Sequence, residues 1–231
     1  MLIDLHVHTS HGSGDSNLAP EELVEEATRI GLEGACLTEH NRTWEPVELR
    51  QFAQRHNHLL LVRAIEVETN MGHITVFGLD RYVSGIWDIA ELRRVSDEAG
   101  AFMVVAHPFR KLFGLPGSSD NLLFKDTEHP PTTAEEAARH PIFQYVDAIE
   151  ANGSDADQES ELAVEVARYL GKPAVGGSDV HSVNGLGACV TVFPKPIESE
   201  ESFLEALRAG GYYPAVGLRT GSLRPVGVGR Q

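Results

Sequence analysis

Short apolar runs alternate along this chain with longer segments in which apolar residues recur every three to four positions. The runs at residues 2–7, 34–38, 59–67, 73–78, 101–106, 146–150, 173–177 and 188–193 predict strands. Helical spacing fills several of the gaps. Over residues 20–30, Leu23, Val24, Ala27 and Ile30 share one face; Pro20 suits the first helical position, and Glu21 and Glu22 suit the positive end of the helix dipole. Over residues 156–170, Leu162, Ala163, Val166, Ala167 and Leu170 repeat in the same way. Gly171 then stops the helix and Pro173 opens the next strand. Alternation of strands and helices with short loops implies parallel strands, as a barrel or a doubly wound sheet. The stretch 109–133, rich in Pro, Gly and Ser, is long for a plain connection and reads as a lid. The segment 220–231 reads as a loosely ordered tail.

Composition narrows the class. With 231 residues, 42% of them apolar and 23% charged, the chain suits one domain with a sizeable core, spanning 1–231. Nineteen basic residues against 34 acidic ones give a net charge of −15, which disfavours long nucleic acid as a partner. A narrow basic patch around one phosphate is compatible with that charge. Cys36 and Cys189 lie in apolar runs and read as small buried hydrophobes, with no Cys-x-x-Cys for a soft metal. No stretch of about 18 apolar residues is present to cross a membrane. The opening Met-Leu-Ile-Asp-Leu-His carries no basic region followed by a cleavage site, and a cytoplasmic protein is expected.

The histidines change the picture, because they gather at the carboxyl ends of predicted strands, where barrels and open sheets build their sites. His6 and His8 close the first run, and period two puts both imidazoles on one side, within reach of one metal. The polar loop that follows returns Asp15, or alternatively His11, to the same place. Asp4, inside the strand, reads as a partner orienting a ligand histidine. Thr38-Glu39-His40 ends the second run. Glu66 stands deep in an apolar strand, where a carboxylate is costly unless paired or metal-bound, and Glu68 shares its face by period two. His73 follows a short turn, His107 ends the run Met103-Val104-Val105-Ala106, and Asp179 and His181 repeat the period-two logic after Gly176-Gly177-Ser178.

Nine candidate ligands result: His6, His8, Asp15, His40, Glu66, His73, His107, Asp179 and His181. They exceed what one tetrahedral zinc uses, so two or three divalent ions are implied, and six imidazoles with three carboxylates suit Zn, Mn or Fe better than Mg or Ca. Two ions roughly 3.5–4 Å apart can share a hydroxide nucleophile and clamp a phosphoryl group from both sides.

The motifs Asp4-Leu5-His6-Val7-His8-Thr9, Thr38-Glu39-His40, Ala106-His107-Pro108 and Gly177-Ser178-Asp179-Val180-His181, with the strand Glu66, together resemble the PHP (polymerase and histidinol phosphatase) domain family. The resemblance spans nearly the whole chain and implies a distorted (β/α)7 barrel with a trinuclear site at the C-terminal ends of the strands. It implies that His6, His8, Glu66 and Asp179 hold one metal, that His40, His181 and Asp15 hold a second, and that Glu66 bridges to a third held by His73 and His107. Where many members carry Asp in the second motif this chain has Glu39, beside the intact His40. The chain looks closest to the small stand-alone phosphoesterases of the family.

The expected activity is hydrolysis of a small phosphomonoester or short phosphodiester, nucleotide-like or histidinol phosphate-like, by a metal-bridging hydroxide. Arg110 would contact the phosphate as a bidentate fork, and His181 or Asp15 would protonate the leaving oxygen. The rivals are a C–N hydrolase of the amidohydrolase type, which usually adds a carboxylated strand lysine, and a non-catalytic metal-stabilised regulatory module.

Overall fold

A computed structural model describes residues 1–114, 121–125, 127, 129–155 and 157–227. Among these residues ten strands form one sheet: β1 (Leu2–Val7), β2 (Gly34–His40), β3 (Leu60–Thr69), β4 (Gly72–Phe77), β5 (Phe102–Val105), β6 (Ala148–Asn152), β7 (Ala174–Gly177), β8 (Cys189–Val192), β9 (Tyr213–Val216) and β10 (Arg224–Pro225). Their order across the sheet is β10-β9-β8-β1-β2-β3-β4-β5-β6-β7. The sheet curls, and the segment leaving β7 comes back beside β1 through a parallel bridge between Val7 and Val180 and a 3.0 Å bond from His8 N to Val180 O. The result is the distorted barrel that the resemblance implied, one of the two architectures that the strand–helix alternation allowed.

The expectation of parallel strands throughout needs correction at β4. It pairs antiparallel with both β3 and β5, because residues 70–71 leave room only for a hairpin and not for a crossover. β8 also runs antiparallel to β1, and the β8-β9-β10 meander extends the sheet beyond the barrel. Within the tail read as loose, Arg224–Pro225 pairs with β9 and Val226 is buried; residues 228–231 lie outside the described residues.

Among the described residues six α-helices accompany the sheet: α1 (Pro20–Ile30), α2 (Pro46–Arg55), α3 (Ile89–Ala99), α4 (Ala134–Ala137), α5 (Asp157–Leu170) and α6 (Glu200–Ala209). Leu23, Val24 and Ala27 of α1 and Leu49 and Phe52 of α2 pack with Ala35, Leu37 and Leu61. Ile89 and Leu92 of α3 and Leu162, Ala163 and Val166 of α5 pack with Ile65, Val76, Met103 and Ile149. A third cluster joins Cys36, Val62, Ala64, Val104 and Ala148 to Phe203 and Leu207 of α6. It shares a face with the site: period two carries Cys36 on to His40, Val62 and Ala64 on to Glu66, and Ala148 on to Glu150. Each of these strands is apolar on that face at its amino end and polar at its carboxyl end. β1 joins them by a shift in its register with β2 between Asp4 and Val7, so Ile3 and Leu5 enter the apolar cluster while His6 and His8 enter the polar one. No helix among the described residues is long and apolar enough to cross a membrane.

Candidate metal centre

All nine expected ligands converge where the carboxyl ends of β1, β2, β3, β5 and β7 meet the amino end of β4. Glu66 stands at the middle, fully buried. Its Oε1 lies 3.1 Å from His107 Nε2, 3.2 Å from His73 Nδ1 and 3.4 Å from His6 Nε2; its Oε2 lies 2.9 Å from His40 Nδ1 and 3.3 Å from His8 Nε2. Asp179 Oδ1 approaches His8 Nε2 at 3.1 Å and His6 Nε2 at 3.3 Å. The Nε2 atoms of His6 and His8 are themselves 3.0 Å apart. Exposed Asp15 reaches His40 at 3.2 Å and His181 at 3.3 Å.

Three groups offer donor atoms that all lie within 4.8 Å of one another: His6, His8, Glu66 and Asp179; His8, His40 and His181; and Glu66, His73 and His107. Compared with the grouping the resemblance implied, His8 falls in two sets, and Asp15 belongs to none of them but stands beside His40 and His181. Glu68 is exposed and paired in register with His73, so it stays outside. His11 also stays outside, its ring stacked on Trp44 at 3.9 Å and its Nε2 3.2 Å from Glu48.

The electrostatics follow from packing so many ionisable groups out of water. Burial opposes charge on His6, but Glu150, Asp179 and Glu66 outweigh it and hold its pKa well above the ordinary value. Burial likewise opposes ionisation of Glu66, and His6, His107 and His40 overcome it, leaving that carboxyl well below the usual range. In His107 burial wins and lowers the pKa. Two of the ligand positions carry backbone strain: His107 and Asp179 sit at φ 32 and φ 50, where non-glycine residues are uncommon.

The surroundings hold several surprises. Asp4 meets no imidazole: it accepts the backbone N–H groups of His6 (3.2 Å), Ser178 (2.9 Å) and Gly187 (3.0 Å), tying β1 to the loop after β7. Burial pushes its pKa up to about 6. Glu39, fully buried, accepts from Thr9, from Ser13 Oγ at 2.6 Å and from Trp44 Nε1 at 3.0 Å, while Ser13 Oγ also contacts His8 Nδ1 and the backbone N–H of His40. The second motif's carboxylate therefore anchors the loop that carries Asp15. Arg110 donates to Asp179 (2.6 Å), Asp155 (2.9 Å), Asn152 (3.0 Å) and Ser154, so its fork is engaged by the protein. Burial raises the pKa of Asp155 to about 7, against the pull of Arg110. Glu150, which lies beneath His6, was not among the expected residues; its signal was the one used for Glu66, a carboxylate inside an apolar strand.

Beside Asp179 and His181 opens a cavity of about 650 Å³, also lined by Arg110, Lys111, Phe113, Ser154 and Gln158. Four described residues of the segment read as a lid, Arg110, Lys111, Phe113 and Gly114, border it. Of that segment, residues 115–120, 126 and 128 lie outside the described residues; Phe109 and Phe124 are buried with their rings 6.1 Å apart, and Asn121 donates to the carbonyls of Pro108 and Arg110.

The PHP domain model matches residues 4–115, and a model described as PHP-associated matches residues 158–212. A stretch of 51 residues is 41% identical to the error-prone DNA polymerase of Nocardia farcinica, covering 22% of this chain and only 4% of that polymerase. Among solved structures, a two-domain protein of Bacteroides vulgatus, described as containing a predicted PHP-like metal-dependent phosphoesterase, aligns with TM-score 0.62. It is 20% identical, over 93% of this chain and 64% of that one. An amidohydrolase of Chromobacterium violaceum, with bound sulfate and no metal, aligns with TM-score 0.60 and 17% identity over 89% of this chain and 96% of that one. At these identities the likeness is one of fold. The first family match contains seven of the converging residues, from His6 to His107, and the second contains Asp179 and His181, so the chain belongs to the PHP domain family.

Proposed function

We propose that this protein hydrolyses a small phosphomonoester or short phosphodiester, nucleotide-like or histidinol phosphate-like. Two or three divalent ions, of Zn, Mn or Fe, would be held by His6, His8, Asp15, His40, Glu66, His73, His107, Asp179 and His181. One observation carries this reading. His40 Nδ1 and Glu66 Oε2 are buried and 2.9 Å apart, yet neither has a hydrogen-bond partner of acceptable geometry. Orphaned donor atoms facing a common point inside a ring of imidazoles are costly alone and fit a cation.

Bound there, divalent ions would polarise phosphoryl oxygens and make water acidic enough to ionise near neutral pH. The protein's own groups supply the rest. Asp15 and His181 stand at the open side, half a step from the cavity, where either can pass a proton to the leaving oxygen. Arg110 adds positive charge to the cavity wall, acting through the field and through its hold on Asp179. Of the segment read as a lid, Arg110, Lys111, Phe113 and Gly114 line a pocket sized for a small phosphorylated molecule, a partner that the −15 charge also favours. A C–N hydrolase of the amidohydrolase type usually adds a carboxylated strand lysine, and none of the ten described strands carries a lysine.

Elemental analysis of the purified protein, paired with phosphate release from a panel of esters, tests the reading. Two or three ions per chain with metal-dependent release are expected. Bound metal without release across the panel returns weight to the regulatory module, and no metal after reconstitution with Mn or Zn overturns the proposal.

A further inference from the structure

Beneath the ligand groups lies a connected set of polar side chains that touch the candidate ligands from behind. Glu150, in the middle of β6 and 1% exposed, sits at its root. Its Oε1 lies 2.9 Å from His6 Nδ1. Its Oε2 accepts the backbone N–H of His107 at 2.7 Å and the side-chain amide of Asn152 at 2.9 Å. Asn152 in turn accepts from Arg110 at 3.0 Å, and Arg110 grips Asp179 at 2.6 Å. An arch of three residues thus runs from His6 to Asp179, the two ends of one ligand group. Gly177 makes room for it, since a Cβ there would collide with Glu150 Oε1 and with His6 Cβ.

We propose that Glu150 is a positioning residue that keeps the His6 proton on Nδ1, freeing Nε2 as a ligand, and that fixes Asp179 through Asn152 and Arg110. The inference rests on the metal reading above. Its logic is donor counting. Oε2 already faces two N–H donors, and a carboxylate offers only acceptors, so His6 Nδ1 must carry the hydrogen. Nε2 is then left with its lone pair aimed at Asp179 Oδ1 and Glu66 Oε1, 3.3 and 3.4 Å away. Partners on the far nitrogen of a ligating imidazole set its tautomer and orientation, and their loss weakens metal binding by about 10–100-fold.

Glu150→Gln reads this out with almost no change of shape. The glutamine oxygen is needed at the Oε2 side, where two N–H groups wait, so its NH2 turns toward His6 Nδ1. That demands an acceptor there and moves the ring hydrogen to Nε2. Two measurements follow, both independent of turnover. Stepwise chelator competition with Zn should show one metal equivalent bound about 10–100-fold more weakly in the variant. Long-range proton–nitrogen spectra of the zinc-loaded wild type, labelled at histidine, should show His6 protonated at Nδ1, a signal absent from the variant. Leu92→Ala, a core truncation in α3, is the control for general loss of stability.

Wild type that binds zinc with His6 protonated at Nε2 overturns the inference, even if the variant fails to fold. So does a variant that binds all equivalents within threefold of wild type, or a control that loses affinity equally. Wild type that binds no metal instead brings down the functional reading on which the inference stands.

Discussion

At Asp179 two demands meet in one residue. It must bring an oxygen to His6 and His8, and it must do so from a left-handed backbone, φ 50. Asparagine tolerates that backbone and keeps the shape while losing the charge. Asp179→Asn is therefore expected to stay folded, to lose one metal equivalent, and to lower kcat by more than the roughly 100-fold typical of outer partners. Elemental analysis and phosphate release check both; full metal content with near-normal turnover would remove Asp179 from the ligand set. A few ångströms away, Gly177 is expected to tolerate no side chain. Gly177→Ala pushes a methyl into Glu150 and His6, an overpacking that costs about 1–3 kcal/mol. Its melting temperature should fall and metal affinity should fall with it. A variant that melts lower yet binds metal as wild type does would separate the packing there from the site. Asp4 gives the contrasting case. Backbone N–H groups reach both of its oxygens, beside the Ser178 hydroxyl, so Asp4→Asn sets an amide N–H against another N–H, at about 1–3 kcal/mol measured by denaturant unfolding.

The β3–β4 hairpin is the element that most shapes the centre, because it carries both Glu66 and His73 and sets them 3.2 Å apart. Its turn depends on Gly72, at φ 98. Gly72→Ala is expected to destabilise by about 1–2 kcal/mol, since an alanine resists that backbone and its methyl would press on Leu123 2.9 Å away. For a chain of this length the melting temperature should fall about 2–8 °C; an unchanged melt would mean that the turn adapts freely. This hairpin also marks where the sequence was less legible. β1 and α1 were readable to the residue, because alternation, Pro20 and Gly31 punctuate them without competition. The direction of β4 was not read correctly: apolar alternation says strand but carries no direction, and only the shortness of the Asn70–Gly72 link did. Glu150 was missed for a related reason. Like Glu66 it is a carboxylate inside an apolar strand, but no histidine adjoins it to flag it, and its partners are 43 and 144 residues away in sequence. Arg110 was legible as a cation at the site, but the carboxylates that engage it follow β6 and β7, 45 and 69 residues on in sequence, and only the order of the strands across the sheet brings them near.

For the molecule as a whole, the centre is a reservoir of charge whose effect on stability depends on metal and pH together. In the metal-free protein the Glu66 carboxylate holds the pKa of His40 up to about 9, against burial, from an ordinary 6.5. A folded-state pKa above the unfolded one adds stability that is complete below about 6.5 and is lost as pH rises through about 9. Asp179 acts in the opposite sense. Burial opposes its ionisation, but His6, His8 and His107 hold it far below the usual range, so its contribution is present above about 4 and is lost only in strong acid. Metal-free protein should therefore be most stable between about pH 4 and 6.5 and weaken toward pH 9. Metal reverses the upper limb. Ligation requires neutral imidazoles, so raising the pH removes the proton competition and tightens binding. Each site filled at 100 times its dissociation constant adds about 2.7 kcal/mol, or about 5–10 °C in melting temperature for a chain of this size. The gap between loaded and chelated melting curves should accordingly widen from pH 6 to pH 9. A gap that stays constant would mean that His40 and its neighbours do not exchange protons for metal, and a gap that narrows would place the ions elsewhere in the molecule.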